Sequence, residues 1–151
     1  MIRVVLAVVL SLALVAVAVP AVDDAAKTRS ERVGEHAALD IAKAASELAT
    51  SEDAPPVDLD GPSRTVTVAF PSKSILSVRL STFTVRRVSG GRSVLSVGVR
   101  GRPVRTVVVA VPIVSEENEL VELSGRTGVQ EFRLELCREP AGEVVVVLTV
   151  L

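Results

Sequence analysis

Aromatic side chains are nearly absent from this chain of 151 residues, which has three Phe and neither Trp nor Tyr. A module that stacks nucleic-acid bases needs exposed rings, so we expect no nucleic-acid partner. Valine is abundant instead: its 31 residues supply the bulk that aromatics usually supply. Because hydrophobic residues make up 48% of the chain, the composition excludes intrinsic disorder.

Cysteine and histidine occur once each, as Cys137 and His36. A single thiol excludes a disulfide scaffold, and one residue of each type is too few for a tetrahedral zinc site. We interpret His36 as an exposed helix residue, because no nucleophile and orienting acid accompany it. We interpret Cys137 as a solitary buried thiol in a strand, with an intermolecular disulfide as the alternative. The sequence thus indicates no catalytic residue, cofactor or small-molecule substrate, and we expect no enzyme activity.

Two acidic segments invite a metal-binding interpretation. The run Asp58-Leu-Asp60-Gly61 resembles the middle of a calcium loop, but Pro56 and Thr67 then occupy the two ends, where carboxylates are required. Residues 116–119, with Glu122, are either a weak cation site or a solvated turn, and we favour the turn. Neither segment predicts a metal site.

The longest hydrophobic run covers residues 4–22 and contains no charge. As a helix it is about 28 Å long, close to the roughly 30 Å hydrocarbon core of a bilayer. Arg3 precedes the run and Asp23 follows it, which places the N-terminus in the cytoplasm and the rest outside the cell membrane. We therefore predict a single-pass anchor over residues 1–22. The alternative is a signal peptide with a small-x-small cleavage site at residues 16–18.

Residues 23–50 are rich in Ala, Glu, Lys and Arg and predict a stalk helix. Its apolar positions recur every three or four residues and form one narrow stripe, made of Val33, Ala37, Ile41, Ala44 and Leu48. This stripe docks on the chain's own β domain, pairs with another stalk helix, or lies on an envelope protein partner. Residues 51–63, with three prolines and a glycine, form a linker.

The hydrophobic period changes from 3.6 to 2 after the linker, which predicts an extracytoplasmic β domain over residues 64–151. Short alternating runs cover residues 64–70, 75–80, 82–88, 94–100, 104–111, 120–123, 130–138 and 143–151. They place Phe70, Phe83 and Phe132 inward, together with Leu76. Residues 144–147 are all Val, which indicates a central strand covered on both faces. The predicted fold is mainly β: a long N-terminal helix followed by a small antiparallel sandwich or barrel of seven to eight strands.

Charge is distributed unevenly, although the net charge is only −1. Residues 61–115 hold nine bases and no acid, whereas the segments on either side carry an excess of acids. Either the basic strands pair with neighbouring acidic strands, which we prefer, or the Arg residues form one face for an anionic partner. Arg100, Arg102 and Arg105 flank a turn and would make the best such patch.

Five short segments carry a family resemblance: the opening MIRVVLAVVL, PAVD from Pro20, RTVTV from Arg64, FRLEL from Phe132 and GEVVV from Gly142. They resemble segments of uncharacterised haloarchaeal single-pass membrane proteins. The resemblance covers about a third of the chain and includes no functional motif. It implies an association with archaeal type IV pilus-like systems. No pilin processing site precedes the apolar run.

These features favour an anchored structural or interaction component of a cell-envelope assembly, whose partners are the lipid bilayer and envelope proteins. The main alternative is a binding module for an anionic surface ligand, carried by the patch at Arg100, Arg102 and Arg105. A third hypothesis is an enzyme of unknown chemistry, which no residue of the sequence indicates.

Overall fold

One helix, α1 (Ile2–Ser51), covers the first third of the chain. The computed structural model describes residues 1–57, 59–115 and 120–151. α1 contains both the apolar run and the stalk, and Pro20 and Asp23 lie inside it rather than at a break. Its most apolar window has a mean hydropathy of 2.8 and is not buried by the protein, so α1 is long and apolar enough to cross a membrane.

Eight strands follow and form two four-stranded sheets. They are β1 (Ser63–Phe70), β2 (Thr82–Val88), β3 (Arg92–Gly98), β4 (Arg105–Val109), β5 (Ile113–Val114), β6 (Leu120–Glu122), β7 (Gly128–Arg138) and β8 (Val144–Val150). The first sheet has the order β1-β7-β8-β5 and the second the order β4-β3-β2-β6. Over the described residues the pairings are antiparallel except that of β5 with β8. The predicted fold class is confirmed.

The three Phe residues meet between the two sheets. The Phe70 ring on β1 lies 5.1 Å from the Phe83 ring on β2 and 6.1 Å from the Phe132 ring on β7, both edge to face. All three side chains are buried, as their alternation predicts. Such pairs add about 0.5–1.5 kcal/mol beyond the burial of their area. The few aromatic residues of this chain therefore form the centre of its core.

The stalk part of α1 packs on the sandwich. Ala37, Ile41, Ala44 and Leu48 are buried, whereas Val33 is only partly covered. The helix contacts β1 and β7 of the first sheet and β3 and β4 of the second, along the side where β1 and β4 are the outer strands. Among the three predicted uses of the stripe, docking on the chain's own domain is the one observed.

Gly34 allows the helix to approach the second sheet closely. A Cβ atom at this position would lie 2.6 Å from Cγ1 of Val97 and 3.0 Å from both Cδ atoms of Leu80. One turn earlier, the buried Ser30 hydroxyl accepts a hydrogen bond of 2.8 Å from the Val78 amide. Small residues on α1 thus bring it against β3 and against the segment that precedes β2.

The predicted strand over residues 75–80 is wrong. Residues 71–81 form a loop whose only bridge joins Ser74 to Ser77, and Leu76, predicted inward, is 55% exposed. Serine hydroxyls take the place of a strand partner, because Ser77 donates to the Ser72 carbonyl and Ser74 accepts from the Leu76 amide. Short polar side chains compete with sheet ladders in this way.

Two other predictions concern the first sheet and the acidic loops. The Val run of residues 144–147 does lie centrally, because β8 runs between β7 and β5, and the adjacent Val145 and Val146 are both buried. The two-residue strand β5 is too short to show a period of two, so alternation could not indicate it.

The predictions for the two acidic segments fall partly on residues that the structure does not describe. Asp58 and residues 116–119 lie outside the described residues.

Candidate functional site

Arginines of the basic segment meet carboxylates of the stalk. Arg102 binds the Asp24 carboxylate and lies 3.0 Å from Oε2 of Glu31, whose side chain is only 8% exposed. The hydrogen bond to Asp24 raises the pKa of the Arg102 guanidinium, burial opposes this, and the hydrogen bond to Glu31 adds to it. Arg102 therefore holds the turn before β4 against the helix.

Two more ion pairs continue along the stalk. Arg105 lies 3.8 Å from Glu35, and Arg64 on β1 binds Glu47. The preferred explanation of the charge pattern, intramolecular pairing, thus holds for these residues, but the acidic partners are on the helix. Basic strands do lie beside strands of the acidic segment, β1 beside β7 and β2 beside β6, but Arg105 and Arg64 pair with the helix and not across those strands.

Arg87 connects the two sheets at the end of the sandwich where the chain turns from β7 to β8. Its guanidinium on β2 lies 2.8 Å from Glu139 and 2.7 Å from Glu143, which border the turn between β7 and β8. The hydrogen bond to Glu139 raises the pKa of Arg87, burial opposes this, and the charges of Glu139 and Glu143 add to the increase. The Arg87 side chain is 16% exposed, so this pair of contacts is partly shielded from solvent.

The three arginines of the predicted patch have different surroundings. Arg102 and Arg105 are ion-paired with the stalk, whereas Arg100 is exposed and lines a cavity of about 660 Å³. Three further cations line the same cavity: Lys27, Lys73 and Arg79. The sequence does not single these out, because they come from the helix and a loop that are distant along the chain. The absence of acids from residues 61–115 is a signal for Lys73 and Arg79, but not for Lys27.

Neither His36 nor Cys137 belongs to a cluster of reactive groups. His36 is exposed on α1, as predicted, and Cys137 on β7 is a free, partly buried thiol. Burial raises the pKa of Cys137, and the negative charges of Glu135 and Asp60 raise it further. Over the described residues no three His, Cys, Asp or Glu side chains are grouped so as to hold a metal ion.

The fold and these contacts define a β-sandwich with an N-terminal helix packed along one side. The first half of this helix extends beyond the sandwich as a long apolar segment. Over residues 1–151 the chain matches the model of a family described as a domain of unknown function (DUF7311). The chain belongs to this family. No curated protein and no solved structure matches it.

Proposed function

We propose that the protein is a single-pass membrane component of the cell envelope that holds a β-sandwich at the outer surface of the bilayer, as a scaffold or interaction module rather than an enzyme. The observation that carries this proposal is the continuity of α1. Its first half is exposed and apolar, and one face of its second half is buried against the sandwich. A domain built on the same helix as its anchor is held at a set distance from the membrane.

Charge supports the orientation. Arg3 precedes the apolar run, and Asp23 and Asp24 follow it, so the positive-inside rule places the sandwich outside. Removal of a signal peptide after Ala18 would cut α1 within its continuous part and leave the stalk intact. The anchor explains why the helix continues without a break from the apolar run into the core of the domain.

The kind of assembly follows from the resemblance to haloarchaeal single-pass proteins, which suggests a pilus-like or secretion-like system of an archaeal envelope. Because the stalk stripe is covered by the sandwich, partners would contact other surfaces. Among the described residues, exposed apolar side chains outside the anchor include Val108 on β4 and Val129 on β7.

Fractionation tests the proposal. Full-length chain expressed in cells should stay in the membrane pellet after alkaline carbonate treatment, and external protease should remove the sandwich from intact spheroplasts. Crosslinking in native membranes should capture envelope proteins together with the chain. Recovery of a full-length, water-soluble form from the cytosol would contradict the proposal.

A second candidate function is the binding of an anionic surface ligand by Arg100, Arg102 and Arg105. The exposure of Arg100 in a cavity with other cations favours it. If all three residues bind the ligand, changing each to Ala should weaken binding, and added salt should do the same. If Arg102→Ala lowers only the stability, its role is confined to the ion pairs with Asp24 and Glu31.

A further inference from the structure

Three of the four cations that line the cavity at Arg100 have no partner among the described residues. Lys73, Arg79 and Arg100 form no hydrogen bond or ion pair with any other described residue, and Lys27 pairs only with the exposed Asp23, at 2.6 Å. Most other arginines of the basic segment are paired with carboxylates. Of the five cations of the segment that have no partner among the described residues, three therefore line this cavity, and the other two are Arg86 and Arg92.

The cavity lies at the end of the sandwich that faces the apolar run. The loop and turn that form it are held to the early stalk, since Val78 bonds to Ser30 and Arg102 binds Asp24. The opposite end of the sandwich reaches the end of α1, where Arg138 donates to the carbonyls of Ala54 and Pro55. The order of these contacts along α1 gives the domain a near end and a far end relative to the anchor.

Lys27 sets the height of the cavity. It is five residues beyond Val22, the last residue of the apolar run. At the helical rise this is about 7–8 Å along the axis. The polar headgroup layer extends roughly 5–7 Å beyond the hydrocarbon core on each side. The ammonium group of Lys27 lies 2.6 Å from the Asp23 carboxylate, one turn nearer the apolar run, so it reaches back into the headgroup layer when residues 4–22 span the bilayer. Lys73, Arg79 and Arg100 line the same cavity.

The loop that supplies Lys73 and Arg79 also exposes two large apolar side chains. Ile75 is 84% exposed and Leu76 is 55% exposed, beside a groove of about 530 Å³ between the loop and the helix. Exposed apolar residues flanked by cations are typical of segments that lie in the interface of an anionic bilayer. The walls of the cavity include the apolar Val78, Leu80 and Val99, which suit the first methylene groups of the lipid chains.

We propose that Lys27, Lys73, Arg79 and Arg100 bind the phosphate of an anionic lipid headgroup in the outer leaflet, on the side of the sandwich. Ile75 and Leu76 touch the bilayer interface beside it. This inference rests on the proposed single-pass anchor. A phosphodiester between four cations gains charge-assisted hydrogen bonds from Lys and Arg donors. Lipid binding at this position would fix the tilt of the sandwich on the membrane, in addition to its height.

The test uses the full chain in a neutral detergent, titrated with phosphatidylglycerol or phosphatidylcholine and followed by native mass spectrometry. We expect a preference for phosphatidylglycerol that Arg79→Gln with Arg100→Gln reduces about thirty-fold, because each cation near an anionic surface contributes about 1 kcal/mol. The matched control is Arg86→Gln with Arg92→Gln, which removes two exposed cations of the same segment that have no partner among the described residues and do not line the cavity. It should change the affinity less than twofold.

Inorganic phosphate provides the second arm. Millimolar phosphate should compete poorly with phosphatidylglycerol, and equal affinity for both would assign the site to a free anion and overturn the lipid assignment. Equal losses in the two double variants would also overturn it, since the effect would then be one of net charge. Carbonate extraction of the same proteins separates the two proposals. Retention in the membrane without a phosphatidylglycerol preference defeats this inference alone, and release from the membrane defeats the anchor.

Discussion

At the scale of single residues, Gly34 gives the most direct prediction. Gly34→Ala gains about 1 kcal/mol of helix propensity, but its methyl group would lie 2.6 Å from Val97 Cγ1. Val97 is buried and stiff about χ1, so it cannot turn away. We expect a net loss of up to about 2 kcal/mol in the free energy of unfolding, because overpacking a core costs about 1–3 kcal/mol and the gain in propensity offsets about 1 kcal/mol of this. Thermal unfolding of the full chain in detergent, followed by its β circular dichroism signal, measures this loss.

Val97→Ala provides the control for Gly34. Alone it should destabilise the protein by leaving a cavity, but in Gly34→Ala/Val97→Ala the two methyl groups no longer collide. The double variant should therefore lose less free energy of unfolding than the two single variants lose together, by about 1 kcal/mol. Strict additivity would contradict the close approach of α1 to β3.

The thiol of Cys137 should react slowly with alkylating reagents. Burial and the charges of Glu135 and Asp60 raise its pKa, so at any pH below that pKa the native chain holds a smaller fraction of thiolate, the reactive form, than the unfolded chain does. The rise of the iodoacetamide rate with pH should accordingly occur at higher pH in the folded protein than in urea. A rate curve at the same or lower pH in the native protein would contradict this prediction.

At the scale of elements, the docking of the stalk can be tested within a single helix. Ile41 is fully buried against the sandwich, and Leu39, two residues earlier, is 45% exposed. Ile41→Ala should lower the free energy of unfolding by about 2–5 kcal/mol, as large-to-small changes in cores do. Leu39→Ala should change it by less than about 0.5 kcal/mol. If the two variants melt alike in detergent, the stalk is not part of the core.

The elements could be predicted wherever the hydrophobic period was long enough to read. The alternation around Phe70, Phe83 and Phe132 placed each ring correctly, because one face of each strand is buried and the other is not. The alternation of Leu76, Val78 and Leu80 predicts a strand, but it also fits a loop whose serine hydroxyls bond to backbone groups. Alternation cannot predict β5, because a strand of two residues has no period. The sequence leaves three uses of the stalk stripe open, because an apolar stripe does not reveal what covers it.

At the scale of the whole molecule, Arg87 holds the second sheet to the β7–β8 turn of the first. Arg87→Met should lower the free energy of unfolding by about 1 kcal/mol, a modest value because Glu139 and Glu143 are partly exposed and screened by solvent. Arg86→Met is the control, since the adjacent arginine is exposed and has no partner among the described residues. The difference between the variants in thermal unfolding should shrink in 1 M salt. A difference that is independent of salt would contradict an electrostatic role.

The candidate site was only partly accessible from the sequence. The excess of positive charge in residues 61–115 predicts acidic partners, and the turn flanked by Arg100, Arg102 and Arg105 predicts a patch that includes Arg100. Which arginines pair internally depends on where α1 lies against the sheets, and this placed Arg102 and Arg105 beside the stalk acids. Lys27 joined Arg79 and Arg100 only through the tertiary fold, which no local spacing encodes.

The register of the first sheet has a consequence for biosynthesis. β1 pairs along its whole length with β7, from Ser63 opposite Glu135 to Phe70 opposite Gly128, so the second element synthesised cannot pair until one of the last is made. While the intervening chain is synthesised, the edge of β1 that pairs with β7 remains open, and the helix lacks its contacts with β7. A chain that stalls before Gly128 would leave this strand edge exposed, which makes it a target for chaperones and quality-control proteases.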